Sequence, residues 1–94
     1  MDFEIIFRAL GDPLRLSILE LLPDAPSLRN FKHGYNVNQI VKKLKGTQPN
    51  ISHHLKILKE SGVIRQEKVR NNIYYYKDQE VLRQARNFLK NIGE

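Results

Sequence analysis

Phe3, Ile6, Phe7 and Leu10 recur at the spacing of one helix face and predict a helix over about 2–10. Gly11 punctuates it. Asp12-Pro13 then opens a second helix, since Asp is a good N-cap and Pro suits the first helical position. Leu14, Ile18, Leu21 and Leu22 form its inward stripe, and Pro23 stops it. Val37, Ile40, Val41 and Leu44 mark a third helix over 37–44, closed by a tight Lys45-Gly46 turn. Thr47 caps a fourth, which tolerates Pro49 in its first turn. Ile51, Leu55 and Leu58 face its core side, and Ser61-Gly62 ends it with a left-handed cap at Gly62.

Residues 63–69 and 73–77 are β-rich runs joined through Arg70-Asn71-Asn72. Asn tolerates positive φ, so Asn71-Asn72 is the expected hairpin turn. A last helix over about 80–92 carries a broad stripe of Val81, Leu82, Ala85, Phe88, Leu89 and Ile92. Residues 23–36, with two prolines, a glycine and no clear period, read as a loop with room for one helical turn. The order α-α-α-α-β-β-α predicts a mainly α (α+β) fold in one domain, 1–94. Its helix-turn-helix lies at about 37–61 and its β-hairpin wing at about 63–77.

Charge changes the picture more than composition does. Residues 1–31 sum to −2, residues 32–77 hold ten basic and two acidic side chains for +8, and residues 78–94 balance. A basic middle between near-neutral ends suits a polyanion, although a solvated surface or an anionic membrane would be served by the same charge. There is no cysteine, so disulfides and thiolate metal sites are excluded. No apolar run approaches the roughly 20 residues of a membrane span. The acidic start Met1-Asp2-Phe3-Glu4 lacks a signal peptide's basic region, and the expectation is a cytoplasmic protein.

A protruding helix fits the DNA major groove and places side chains on base edges. At about 100° per residue, the face of the fourth helix opposite Ile51, Leu55 and Leu58 carries Gln48, Pro49, Ser52, His53 and Lys56. Asn50, His54 and Ile57 lie on its flank. Gln48 can pair with adenine, Ser52 and His53 can bond bases or phosphates, and Lys56 can neutralise a phosphate. Phosphate also suits the open N-terminus of this helix around Thr47. The wing tip, Arg70, Asn71 and Asn72, can reach an adjacent groove. Each residue has a plainer reading: Gln48 could simply start the helix, and Ser52 could be a solvated hydroxyl. As a set with Asn50 they point to double-stranded DNA.

The last helix is too apolar to stand alone on so small a protein. Its Leu82, Ala85, Phe88, Leu89 and Ile92, with Phe3, Ile6, Phe7 and Leu10 of the first helix, are the expected homodimer interface. The competing arrangement packs them within one chain. A two-fold dimer would present two recognition helices to successive grooves and read an imperfect palindrome.

The segment 36–58 (NVNQIVKKLKGTQPNISHHLKIL), the run LGDPLRLSIL near the start and IYYY in the second wing strand resemble the ArsR (arsenic-repressor-like) family of winged-helix repressors. The likeness covers most of the chain outside 23–35. It implies an obligate dimer that binds an operator, contacts at the positions of Gln48, Ser52 and His53, and release on sensing a signal. The sensing positions depart from the pattern. Asn36-Val37-Asn38 stands where thiolate-sensing members carry Cys-Val-Cys, and residues 78–94 contain no His. Asp78, Glu80 and Glu94 alone are poor zinc ligands. His53 and His54, adjacent on a helix, diverge too far to chelate one ion easily, and His33 stands alone in the loop. No metal and no cofactor is expected. Asn36 and Asn38 read as a helix cap and a surface amide.

An enzyme is not expected: there is no nucleophile–base–acid set, no glycine-rich phosphate loop and no paired carboxylates. The alternative of another class is a winged-helix protein–protein interaction module without specific DNA binding. Its recognition face would be apolar or acidic, whereas this one is polar and basic. A small-molecule or protein effector has room at the 23–36 loop, with His33 and Tyr35, but nothing in the sequence identifies one.

Overall fold

Local side-chain chemistry sets the boundaries of the elements. A computed structural model describes residues 1–26 and 33–94. Helix α1 (Phe3–Leu10) begins where Asp2 accepts a hydrogen bond from the Ile5 N–H at 3.2 Å. Helix α2 (Pro13–Leu21) begins at Asp12, whose Oδ2 accepts from the N–H groups of Leu14 and Arg15 at 2.9 and 3.1 Å. Helix α3 (Val37–Leu44) opens on a reciprocal cap. The Gln39 N–H donates to Asn36 Oδ1 at 2.8 Å, and the Asn36 N–H donates to Gln39 Oε1 at 2.9 Å. Helix α4 (Gln48–Ser61) is capped by Thr47 and ends at Gly62, with φ 88°. In the turn between α3 and α4 the left-handed residue is Lys45, at φ 54°. Gly46 serves a different need: a Cβ there would lie 3.1 Å from the Ile51 side chain, so the turn approaches α4 closely.

The core draws on α1, α2, α3 and α4 and on the start of the hairpin, with Ala85 of the last helix joining it. Ile6, Ile18, Leu22, Ile40, Ile51, Leu55, Leu58 and Val63 are each less than 2% exposed. Full burial of such a side chain contributes roughly 1.5–3 kcal/mol. Three of these residues belong to α4, so that helix is held along its whole inner side and its outer side is left to solvent.

Strands β1 (Ile64–Val69) and β2 (Asn72–Lys77) pair antiparallel, from Ile64 opposite Lys77 to Val69 opposite Asn72. The two-residue turn is therefore Arg70-Asn71, not Asn71-Asn72. Arg70 takes the left-handed conformation, at φ 58°, and Asn72 joins the ladder. Strand register decides the turn here, over the asparagine's intrinsic tolerance of positive φ.

The ends of the 23–36 stretch are not irregular in the sense the sequence suggested. Ala25 N–H donates to the Lys77 carbonyl at 3.0 Å, and Lys77 N–H donates to the Pro23 carbonyl at 2.8 Å. Tyr35 and Tyr75 form an antiparallel bridge. Both ends thus line the outer edge of β2 and occupy backbone groups that an edge strand would leave unpaired. The helical turn allowed for within this stretch would fall at 27–32, outside the described residues.

Helix α5 (Gln79–Gly93) starts at Asp78, which caps Val81 N–H at 3.0 Å and donates its own N–H to the Val63 carbonyl at 2.9 Å. The Gln79 side-chain amide clamps Ala25, accepting from its N–H at 3.2 Å and donating to its carbonyl at 3.5 Å. Among the described residues, no helix is long and apolar enough to cross a membrane. Five helices and one antiparallel pair among the described residues, in the order α-α-α-α-β-β-α, make a winged helix.

Candidate nucleic-acid interface

Apart from Pro49, the face of α4 opposite its core stripe is polar. Thr47, Gln48, Pro49, Asn50, Ser52, His53 and Lys56 are all exposed, while Ile51, Leu55 and Leu58 are buried. Asn50, expected on a flank, belongs with the exposed set. Thr47 Oγ1 accepts a hydrogen bond from Asn50 N–H at 3.4 Å, so Thr47 fixes the start of the helix as well as standing beside it. Lys42 and Lys43 in the last turn of α3, Lys45 in the turn, and Lys56 and Lys59 on α4 are exposed and add positive charge nearby.

The wing completes a concave surface with these helices. A shallow cleft of about 210 Å³ lies between the start of α3, the start of α4 and the hairpin. Asn36, Asn38, Gln48, Asn71, Asn72 and Tyr75 line it. Gln48 is thereby brought together with Asn71 and Asn72, far from it in sequence, while Arg70 stands exposed at the tip. Side-chain amides offer both donors and acceptors, the pairing chemistry that base edges and phosphates require. Burial pushes the Tyr75 phenol pKa up from its ordinary value.

The two neighbouring histidines have different surroundings. Their ring centroids lie 5.3 Å apart with planes at 65°. His53 is exposed, whereas the His54 side chain is only 13% exposed and meets Arg15. Arg15 Nη1 lies 3.0 Å from His54 Nδ1, and Arg15 Nε donates to the Ala9 carbonyl at 2.6 Å. Asp12 Oδ2 is 3.9 Å from His54 Nδ1. The Asp12 carboxyl is held below its ordinary pKa, first by the Arg15 backbone N–H, with the Arg15 charge and the Leu14 N–H acting in the same direction. Sequence reasoning missed this cluster. Arg15 and His54 are 39 positions apart, and no local pattern links them.

The apolar face of α1 and α5 divides into an inner and an outer part. Phe88 stacks on Phe3 at 4.4 Å between centroids and tilts against Phe7 at 5.8 Å, so the three rings cover one another within the protomer. Ile6 and Ala85, expected at the dimer interface, are 1% and 4% exposed and belong to the protomer's own core. Leu10 and Leu82 are partly buried against that core. What stays open is Leu89 at 54%, Ile92 at 67% and, unanticipated, Ile5 at 49%. The unbroken apolar run Ile5-Ile6-Phe7 was the available signal, because adjacent apolar residues cannot all face inward on one helix.

Among the described residues, no group of three or more His, Asp or Glu side chains is placed to hold a metal ion. Residues 12–66 match the family described as bacterial regulatory protein, arsR family. An uncharacterised HTH-type transcriptional regulator of Methanocaldococcus jannaschii is 44% identical over 77 residues, covering 81% of this chain and 79% of its own. The transcriptional repressor SdpR of Bacillus subtilis is 33% identical over 86 residues, covering 92% and 87%. Among solved structures, an ArsR-like transcriptional regulator from Rhodococcus sp. RHA1 superposes with a TM-score of 0.82 at 25% identity, covering 97% and 76%. A homodimeric winged helix-turn-helix DNA-binding domain from Mycobacterium bovis gives 0.69 at 21% identity, covering 96% and 76%.

Proposed function

This chain belongs to the arsR family of regulatory proteins, and on that premise we propose that it is a dimeric repressor reading a palindromic operator in cytoplasmic DNA. The coarser statement, a DNA-binding winged-helix transcriptional regulator rather than an enzyme, follows from the family itself. The observation that carries the finer one is the outer face of α4. Apart from Pro49 that face is polar or basic, and it is exposed and continuous with the wing across the Gln48–Asn71–Asn72 cleft.

In this reading Gln48, Asn50, Ser52 and His53 meet base edges and sugar-phosphate oxygens. Lys56 neutralises a phosphate, Thr47 places the helix start beside the backbone, and Arg70, Asn71 and Asn72 reach the neighbouring groove. Dimerisation uses Ile5, Leu89 and Ile92 around the Phe3–Phe7–Phe88 cluster, with Leu10 and Leu82 behind them. The homodimeric M. bovis domain supports a second copy as the partner. Without cysteine, thiolate metal capture is not the inducing event.

Selection of bound duplexes from a random pool tests the reading. An enriched sequence with two inverted half-sites about one helical turn apart is expected. Affinity for it should fall about 10³-fold between 50 and 200 mM salt if six or more phosphates are engaged. A pool with no enriched sequence would overturn the repressor reading and favour a protein-binding module.

A further inference from the structure

We propose that Arg15 and His54 are a positioning pair that fixes the reading helix α4 on the corner between α1 and α2, and that the pair holds only while His54 is neutral.

A guanidinium carries donors and no acceptor. His54 Nδ1, 3.0 Å from Arg15 Nη1, must therefore accept, which places the imidazole proton on Nε2. The same guanidinium donates through Nε to the Ala9 carbonyl at 2.6 Å and through Nη2 to the Arg8 carbonyl at 3.4 Å. These carbonyls end α1, where helical partners run out and a positive charge is favoured. The Arg15 backbone is itself held in the first turn of α2 by Asp12. One planar fork thus joins the end of α1, the start of α2 and the middle of α4.

Protonation would undo this arrangement. Nδ1 would become a donor, lose the Arg15 hydrogen bond and set two cations against each other. The charged and titratable groups on the adjoining elements bear on this. From α2 come Arg15 and Asp12; from α1, Arg8, whose side chain is paired with Glu4; and on α4 itself, His53. Among the described residues, Asp12 is the carboxylate beside the new Nδ1–H, 3.9 Å away, and its Oδ2 already caps Leu14 and Arg15. Acid should therefore loosen α4 from α1, the helix that carries part of the exposed apolar face.

The sign of the effect is distinctive. A histidine facing DNA, as proposed for His53, gains attraction to phosphate when protonated. His54 should do the opposite and weaken binding. This inference rests on α4 being the reading helix, so the test has an arm that needs no DNA.

The variants are H54Q, whose side-chain carbonyl can still accept from Arg15 but cannot titrate, H54L, which offers no acceptor, and R15Q. In the free wild-type protein, imidazole nitrogen NMR should show His54 as the Nε2–H tautomer with Nδ1 hydrogen-bonded. At about pH 8, H54Q should bind the selected duplex within about threefold of wild type. H54L and R15Q should bind about tenfold more weakly, the effect of one lost charge-assisted hydrogen bond. The ratio of wild-type to H54Q affinity should then fall by about tenfold at the pH where NMR reports His54 protonated. A ratio that stays flat with pH overturns the proposal, as does an Nδ1–H tautomer. Should H54L and R15Q fail to fold, the H54Q ratio and the tautomer still decide. If wild type binds no DNA at any pH, the reading of α4 fails, and the tautomer alone then upholds or overturns the pair.

Discussion

Tyr35 and Tyr75 exchange both of their backbone hydrogen bonds, Tyr75 N–H to the Tyr35 carbonyl at 2.9 Å and Tyr35 N–H to the Tyr75 carbonyl at 3.3 Å. The bridge brings Gly34 so close that an added Cβ would sit 2.3 Å from the Tyr75 carbonyl oxygen and 3.0 Å from Tyr76 Cε1. Gly34→Ala should therefore open the bridge and destabilise the fold by about 1–3 kcal/mol. Urea unfolding measures the loss, and faster amide exchange at Tyr75 locates it.

The bridge also marks where the sequence stopped being legible. The helix over 37–44, the caps at Asn36 and Thr47 and the left-handed Gly62 are written within a few residues of where they act. The outer face of α4 follows from the spacing of Ile51, Leu55 and Leu58 alone. By contrast, Tyr35–Tyr75 and Arg15–His54 are non-local pairings, chosen by how the helices dock. Composition favours an asparagine as the left-handed turn residue, but the pairing of Val69 with Asn72 assigns it to Arg70. Ile6 and Ala85 lie in the protomer's own core, a placement periodicity does not reveal, because it tells which residues are apolar and not which surface covers them.

Exposed side chains on α4 separate binding from folding. Gln48→Ala should cost about 1–3 kcal/mol of discrimination at one base position, with the unfolding midpoint unchanged. Lys56→Ala should weaken binding to all sequences alike and reduce the salt slope by about one. Fluorescence anisotropy on specific and scrambled duplexes distinguishes the two patterns.

At the wing tip, stability and binding should move in opposite directions. Arg70 holds φ 58°, a conformation that costs a non-glycine residue about 1–2 kcal/mol. Arg70→Gly removes that strain, and the glycine's greater unfolded-state freedom offsets part of the gain. Thermal stability should rise slightly or stay level, while DNA affinity falls as the tip charge is lost. An unchanged affinity would remove the wing tip from the interface.

Leu89→Asp and Ile92→Asp place a charge on the open part of α5 without touching the Phe3–Phe88 stack. Sedimentation should show monomers, and binding to a two-half-site duplex should drop far more than binding to a single half-site. Persistence of the dimer would move the interface elsewhere.

Acid should weaken α5 at its start. Arg83, and then Gln84, hold the Glu80 carboxyl down to about 2 from an ordinary value of 4.5. A depressed folded-state pKa gives stability that is present above 4.5 and lost as pH falls toward 2. Asp12 acts in the same direction. Glu80→Gln should flatten part of the fall in melting temperature across that window.

The Asp78 N–H bond to the Val63 carbonyl ties together the two ends of the hairpin at its root. The bridges at Lys77 and Tyr75 extend that hold along β2, and only the part beyond Tyr75 hangs as a cantilever, clamped at one end by the body. Its span can consequently lengthen, shorten or be exchanged for a foreign ribbon while the helices on either side keep their angle. Groove reach would then be an adjustable dimension, and relatives with different operators could differ there without rebuilding what lies beneath.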